Sequence, residues 1–200
     1  MTDLPHSPAA DRNKDPILAQ LRVILGDKGN ALEIASGTGQ HAVWFADALA
    51  GWSWQPTDAD AQMLPAIAER VARAGLANVL PPLLLDVVAD WPAFPRAFDA
   101  IFCANMLHIS PWATCRALME GAARHLAPGG RLVTYGPYFE ADVEPAPGNV
   151  AFDGSLRARD PAWGIRRRED VEAEARRAGL VPSQRHAMPA NNLLLVFARP

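Results

Sequence analysis

The chain has 200 residues, 50% hydrophobic and 20% charged. That is enough apolar surface for one α/β domain with a full core, residues 1–200, and too little for a second. A formal net charge of −3 argues against a default binder of nucleic acid or of an anionic membrane, since both reward a clustered positive face.

No apolar run approaches the ~18 residues of a membrane span. The opening "MTDLPHSPAADRNKDP" lacks the apolar stretch of a secretion signal. Cys103 and Cys115 form neither a CxxC pair nor a disulfide framework. A cytoplasmic protein with reduced thiols is expected.

Asp15 and Pro16 read as an N-cap and first helical position, and Ile17, Leu21, Ile24 and Leu25 recur at helical spacing up to Gly26. Residues 1–26 are thus an N-terminal segment and a helix. A strand is expected over 31–35, a helix over 40–49, a second strand over 52–58 and a helix stopped by Gly75. A third strand, 78–86, ends in an acid as the second does. The stretch 87–97 has little room for a crossover helix before a fourth strand over 98–110. A helix over 111–126, a turn at Pro128-Gly129-Gly130 and a fifth strand, "RLVTYGPY", follow.

Residues 138–167 carry little periodicity and much Pro, Gly, Asn and Asp. So long a loop is usually functional, and Phe152, Leu156 and Trp163 favour an ordered lid. Arg166, Arg167 and Arg168 form the only dense basic run, read as a solvated helix start. A last helix, 168–178, and two strands, 183–188 and "LLLVFAR", close the chain, with Asn191-Asn192 as turn chemistry between them. Alternating strands and helices mean a parallel sheet covered on both faces. The two final strands, with no helix between them, make an antiparallel hairpin at a sheet edge.

The stretch "ALEIASGTGQHA" joins the first strand to the next helix. In a doubly wound sheet ligands sit beyond the carboxyl ends of the strands, where this loop lies. Gly37 and Gly39 let the backbone approach a ligand. A dinucleotide would bring a pyrophosphate and ask for G-x-G-x-x-G and a helix N-terminus aimed at charge. The pattern here is Glu33-x-Ala35-x-Gly37-x-Gly39, with an acid in the strand and no third glycine. An acid is tolerable beside the sulfonium of S-adenosylmethionine and unwelcome beside a pyrophosphate. Asp58 closes the second strand, where a carboxylate can accept both ribose hydroxyls. Asp86 closes the third, placed for an adenine amino group, with Val87 against the ring. Taken singly, each is explained equally well as a tight turn, a cap or a loop acid; three at successive strand ends make a cofactor site.

These residues resemble class I S-adenosylmethionine-dependent methyltransferases. More narrowly, "RNKDPIL", "EIASGTGQHA", "WQPTDAD", "LDV", "NMLHISPW", "YGPY", "NVAFDGSLRARDPAWGIR" and "MPANN" resemble the small uncharacterised family that includes methyltransferase-like 26. The likeness covers nearly all the chain. It implies a Rossmann-like α/β fold with a seven-stranded, mostly parallel sheet, an antiparallel last strand and helices on both faces. It also implies S-adenosyl-L-methionine as cofactor, and names no acceptor. Ala35 departs from the class pattern, standing where many members have the first glycine.

The cofactor-binding candidates are Lys14, Glu33, Ala35, Ser36, Gly37, Gly39, Asp58, Asp86, Val87 and Asn105. Asn105 suits the methionine end through its amide. Lys14, with Arg12 and Asn13, is expected just before the first helix, near the cofactor mouth. Methyl transfer is an in-line displacement that positioning can largely supply, with a base needed only if the acceptor must lose a proton. His108, Tyr135 and Tyr138 are the catalytic candidates, against a packing reading for each. Asn149, Asp153, Arg157 and Arg159 either line a polar acceptor pocket or pair among themselves. The histidines form no metal-ligand spacing with the cysteines, so no metal is expected.

The expected activity is methyl transfer to a small molecule, because the lid leaves little chain for gripping a large partner. "NMLH" is not the aromatic clamp used on nucleic-acid bases, so no nucleic acid is expected, and no membrane. A cofactor-binding sensor or partner subunit without transferase activity is the alternative. A nicotinamide-dependent oxidoreductase is disfavoured by the loop chemistry and the terminal hairpin.

Overall fold

The structure, a computed structural model, describes residues 4–200. It is α/β, with one mostly parallel sheet in the order β3 (Leu83–Leu84), β2 (Trp52–Asp58), β1 (Gly29–Ile34), β4 (Phe98–Ala104), β5 (Leu126–Phe139), β8 (Asn192–Ala198), β7 (Val181–Met188), and a short β6 (Arg166–Arg167) paired to β5. The seven strands in that path, with the antiparallel one near the end, match the expected sheet; the two-residue β6 is an eighth. The chain divides into two compact units, one ending at Phe102 and the other beginning at Cys103.

In the first unit, α1 spans Pro8–Ile24. The helix starts well before the expected Asp15 N-cap. Ser7 is the cap, its hydroxyl accepting from the Ala10 amide at 3.2 Å, and Pro8 takes the first position, where a missing N–H costs nothing. Pro16 therefore lies inside the helix. Arg12, Asn13 and Lys14 ride on α1 rather than preceding it.

β1 (Gly29–Ile34) and β2 (Trp52–Asp58) pair in parallel, Gly29 opposite Trp52 and Glu33 opposite Pro56. Helix α2 (Gln40–Ala48) buries His41, Ala42, Phe45 and Ala46. Phe45 meets Trp54 at 5.7 Å and Phe102 at 5.4 Å between ring centroids. These buried rings anchor the sheet-facing side of α2, burial that contributes on the order of 2 kcal/mol per large side chain. Helix α3 (Leu64–Ala74) ends on Gly75 in the left-handed conformation, as the sequence predicts.

The third strand is much shorter than predicted. β3 is Leu83–Leu84, with one isolated bridge between Trp54 and Val79. Pro81 and Pro82 lie between, and neither can donate to a ladder. No helix forms over 87–97, as the shortness of that stretch implies.

In the second unit, the end of β4 (Phe98–Ala104) leads to a single 3-10 turn, Leu107–Ile109, so the predicted strand stops six residues early. Helix α4 (Trp112–His125) and β5 (Leu126–Phe139) follow. β5 runs straight through the predicted turn: Gly129, at φ 78°, donates to the Arg199 carbonyl at 2.8 Å and Arg199 donates back to Gly130 at 2.9 Å.

The expected lid loop contains a helix, α5 (Pro147–Arg159). Pro147 opens it, and only Leu156 along it is buried, which is why its apolar periodicity is faint. β6 (Arg166–Arg167) pairs with Tyr138 and Phe139 of β5. Helix α6 (Arg168–Arg177) is followed by the antiparallel pair β7 (Val181–Met188) and β8 (Asn192–Ala198). The predicted hairpin turn is there, with Ala190 and Asn191 at φ 57° and 55°.

Candidate functional site

The first unit assembles the loop after β1 against the end of β2. The Gly37 amide donates to Asp58 Oδ2 at 2.7 Å, and the Asp60 amide to Asp58 Oδ1 at 2.9 Å. The Ser36 hydroxyl accepts from the Thr57 amide at 3.2 Å, and the Ser36 amide donates to the Thr57 carbonyl at 2.8 Å. Gly37 and Gly39 take φ 54° and 73°, where L side chains are strained. Nothing lies within 4 Å of where a Gly37 Cβ would stand, so this peptide faces open space; a Cβ on Gly39 would come within 3.2 Å of Ile67. Ala35 takes φ 55°, so the backbone bend that a first glycine would make is kept without it.

Glu33 is 1% exposed, and its carboxyl accepts from the Trp54 indole at 2.6 Å. Burial raises its pKa to about 8, against the opposing pull of the Trp54 and Ser36 hydrogen bonds. Asp86 is exposed and caps its own turn by accepting from the Val88 amide at 3.1 Å, whereas Val87 is buried. Lys14 bonds Asp11 at 2.5 Å and lies over the Trp44 ring, 4.5 Å from its centroid. Asn13, buried on the same helix, meets His41 Nε2 at 2.7 Å.

The second unit holds the other candidates. Asn105 takes φ 59° and donates its backbone N–H to the Tyr135 carbonyl at 2.8 Å, ending the strand in a sharp bend. His108 is buried on the 3-10 turn, and a Cβ on Gly136 would stand 3.4 Å from its Nδ1. Burial first, then the charges of Arg166 and Arg159, lower its pKa to about 4, so the ring is neutral at pH 7. The Phe152 ring of α5 meets it edge-on at 5.6 Å. Tyr135 is buried in β5. Tyr138 is also buried, its hydroxyl donating to Thr134 Oγ1 at 2.9 Å, and burial pushes its pKa up.

Arg166 is the residue that sequence reasoning missed. It is half-buried, and its guanidinium donates to the carbonyls of Leu107 (2.9 Å), Ser110 and Ala162 (2.9 Å), with its cation 5.7 Å from the Trp112 ring. It thus braces both ends of the His108 turn. Among the three arginines it is no solvated helix start, and only the fold separates it from Arg167. Arg168 pairs instead with Glu140, Glu169 and Glu172. Asp153 pairs with Arg157 at 2.8 Å and accepts from the Ile165 amide at 2.7 Å, and Arg159 covers the Trp163 ring. Asp153 and Arg157 thus pair with each other, Arg159 lies on Trp163 instead, and Asn149 lines a pocket.

Among the described residues no group of three or more His, Cys, Asp or Glu could hold a metal, and no helix is long and apolar enough to cross a membrane. Cys103 and Cys115 are buried and form no disulfide.

Solved structures share this architecture. The chain is similar to the S-adenosylmethionine-dependent methyltransferase SibL in its apo form (TM-score 0.80, 23% identity, 96% of this chain and 56% of that one). It is similar to the mitomycin 7-O-methyltransferase MmcR (TM-score 0.82, 17% identity, 96% and 54%). It also resembles an O-methyltransferase family 2 protein from Planctomyces limnophilus in complex with apigenin (TM-score 0.80, 17% identity, 96% and 60%). The chain spans little more than half the length of these proteins, and at such identities they define its fold as Rossmann-like, of the class I methyltransferase type. Residues 4–199 match the family described as "Protein of unknown function (DUF938)", and the chain belongs to that family.

Proposed function

We propose that this protein is an S-adenosylmethionine-dependent methyltransferase acting on a small-molecule acceptor. The observation that carries the reading is the Gly37–Asp58 hydrogen bond, which folds an open-faced glycine loop onto the acid closing β2. Each Asp58 oxygen already accepts one amide hydrogen, and a carboxylate has about four acceptor sites, so it retains capacity for two ribose hydroxyls. The donor set fits a nucleoside without phosphate: acids and glycines, with Lys14 engaged by Asp11. Asp86 and Val87 would hold the adenine, and the Ala35–Gly39 loop would pass beneath the nucleoside. Glu33 serves the same site from inside, fixing Trp54 and the bend at Ser36.

The cofactor supplies an electrophilic methyl group, and the protein's own work is to orient and dehydrate. His108 is neutral at pH 7, and a pKa near 4 makes it a weak base, so its part is to accept a hydrogen bond from an acceptor hydroxyl or amine and orient it rather than to carry its proton away. Tyr138, its hydroxyl committed to Thr134, presents its ring; Tyr135 shapes the same strand end. The solved neighbours named for small-molecule methylation support this class of acceptor by likeness of fold. Kinship to methyltransferase-like 26 and a cytoplasmic location belong to the same proposal.

The burial of His108, at 6% exposure, favours one second reading: a sensor or partner subunit that binds the cofactor without transferring its methyl. Calorimetry with S-adenosylhomocysteine, then mass spectrometry of a metabolite mixture incubated with the cofactor, separates the two. Binding with a methylated product supports transfer. Tight binding with no product across many acceptors supports the sensor, and a thermal shift with NAD in place of S-adenosylhomocysteine would sink both.

A further inference from the structure

The second unit contains a pocket of about 200 Å³ between the end of β5, the first turn of α5 and the β7–β8 hairpin. We infer that it binds a single-ring small molecule that donates hydrogen bonds and carries no negative charge, and that this molecule is the methyl acceptor. The acceptor role rests on the methyltransferase reading above; the ligand chemistry does not.

Size sets the first limit. A cavity of roughly 150 Å³ accommodates benzene, so the volume here takes one ring with a small substituent. Its apolar lining includes Tyr138, Ala187, Met188 and Leu193. Charge sets the second limit. Glu140 and Arg185 both line the pocket and pair through two hydrogen bonds, 2.7 and 2.5 Å, with Arg168 also on Glu140. Glu144, also on the lining, makes no ion pair or side-chain hydrogen bond among the described residues. One uncompensated carboxylate repels anions and admits neutral or cationic rings.

Hydrogen bonding sets the third. Asn149 and Asn192 spend their Nδ2 atoms on backbone carbonyls, those of Asn191 (3.0 Å) for the first and of Pro189 (2.9 Å) and Ala190 (3.3 Å) for the second. Their Oδ1 atoms remain as acceptors for an O–H or N–H on the ligand. Such a heteroatom is also what a methyl group is transferred to.

Two separate elements tie the pocket to His108. Gly136 and Tyr138 are two apart on β5 and so share a face; the first approaches His108 and the second lines the pocket. Asn149 and Phe152 are three apart on α5, one on the pocket and the other against the His108 ring. Helix α5, in the stretch expected to be a loop, thus connects His108 to a cavity of one-ring size.

The test uses the intact protein with ¹³C-methyl methionine, read by NMR, because Met188 lines the pocket. Phenol, aniline, benzylamine and benzoate are titrated in the millimolar range. The first three are expected to shift the Met188 methyl, with benzoate at least tenfold weaker. Ala187→Phe, at an exposed strand position, is expected to abolish these shifts while S-adenosylhomocysteine affinity stays within twofold. Absence of any Met188 shift, equal binding of benzoate, or full binding in Ala187→Phe would overturn the pocket assignment. If S-adenosylhomocysteine does not bind the unmodified protein while the Met188 shifts persist, the acceptor role falls and the pocket's ligand chemistry stands.

Discussion

The Gly37 amide and the Asp58 carboxylate meet at 2.7 Å, so the acid that closes β2 also shapes the loop that follows β1. Replacing Asp58 by Ala removes an acceptor from both Gly37 and Asp60, as well as the candidate ribose ligand. Hydrogen bonds to a charged group contribute about 1.5–3 kcal/mol, so Asp58→Ala is expected to weaken S-adenosylhomocysteine binding by about 10- to 100-fold in calorimetry. Asp58→Asn keeps one acceptor oxygen and is expected to lose less. Unchanged affinity in the alanine variant would remove Asp58 from the site.

Stability should pass through a maximum near pH 6.5. His41 and His108 are held near pKa 4 against an ordinary 6.5, so the unfolded chain binds more protons between those values and stability rises with pH there. Each histidine contributes a slope of at most about 1.4 kcal/mol per pH unit. Glu33, raised from 4.5 to about 8, acts in the opposite sense: the folded state keeps a proton that the unfolded state has lost, so stability falls as pH rises from 4.5 to 8. Two rising contributions against one falling leave a net rise up to 6.5 and a decline above it. Urea titrations across this range should show that shape. Glu33→Gln should flatten the alkaline limb, and a limb unchanged in that variant would mean that Glu33 ionises normally.

Ala35 pays for its position in strain: at φ 55° a Cβ costs about 1 kcal/mol. Ala35→Gly relieves that strain but adds unfolded-state entropy of similar size, so thermal denaturation should show it within about 0.5 kcal/mol of the parent. Gly39→Ala has both an unfavourable φ of 73° and a 3.2 Å contact to Ile67 Cγ2, and should lose about 2 kcal/mol. Equal stability of the parent and Gly39→Ala would contradict the loop geometry.

Arg166 should act on His108 through charge and through its carbonyl clamp. Arg166→Gln removes a positive charge that disfavours imidazolium and is expected to raise the His108 pKa above 4, toward 6.5, in an NMR titration. Arg166→Lys keeps the charge without the planar fork that reaches three carbonyls. It should hold the pKa low yet destabilise the turn. Identical titrations for parent and Arg166→Gln would leave Arg166 a purely structural brace.

Local chemistry made several elements legible. "WSWQPTD" is a strand with the expected limits because alternating large apolar residues and a closing acid admit little else. Gly75 stops α3 as predicted, since glycine accepts the left-handed C-cap. The shifted start of α1 shows how such signals mislead. Ser7-Pro8 and Asp15-Pro16 carry the same cap chemistry, and nothing nearby says which one opens the helix. The proline pair that cut the third strand short was visible, but its effect depended on a ladder partner.

The sequence by itself determined the α/β alternation, the closing hairpin and the glycine loop with its acids, because each rests on residues close together in the chain. Tertiary structure alone decided what long-range contacts control. It showed that a helix, α5, occupies the stretch expected to be a loop, that Arg166 turns inward to clamp the His108 turn while Arg167 does not, and that Asn149 meets the hairpin to wall a pocket. Those outcomes depend on which carbonyls, rings and amides the folded chain brings within hydrogen-bonding or packing distance across tens of residues, and no local periodicity encodes that.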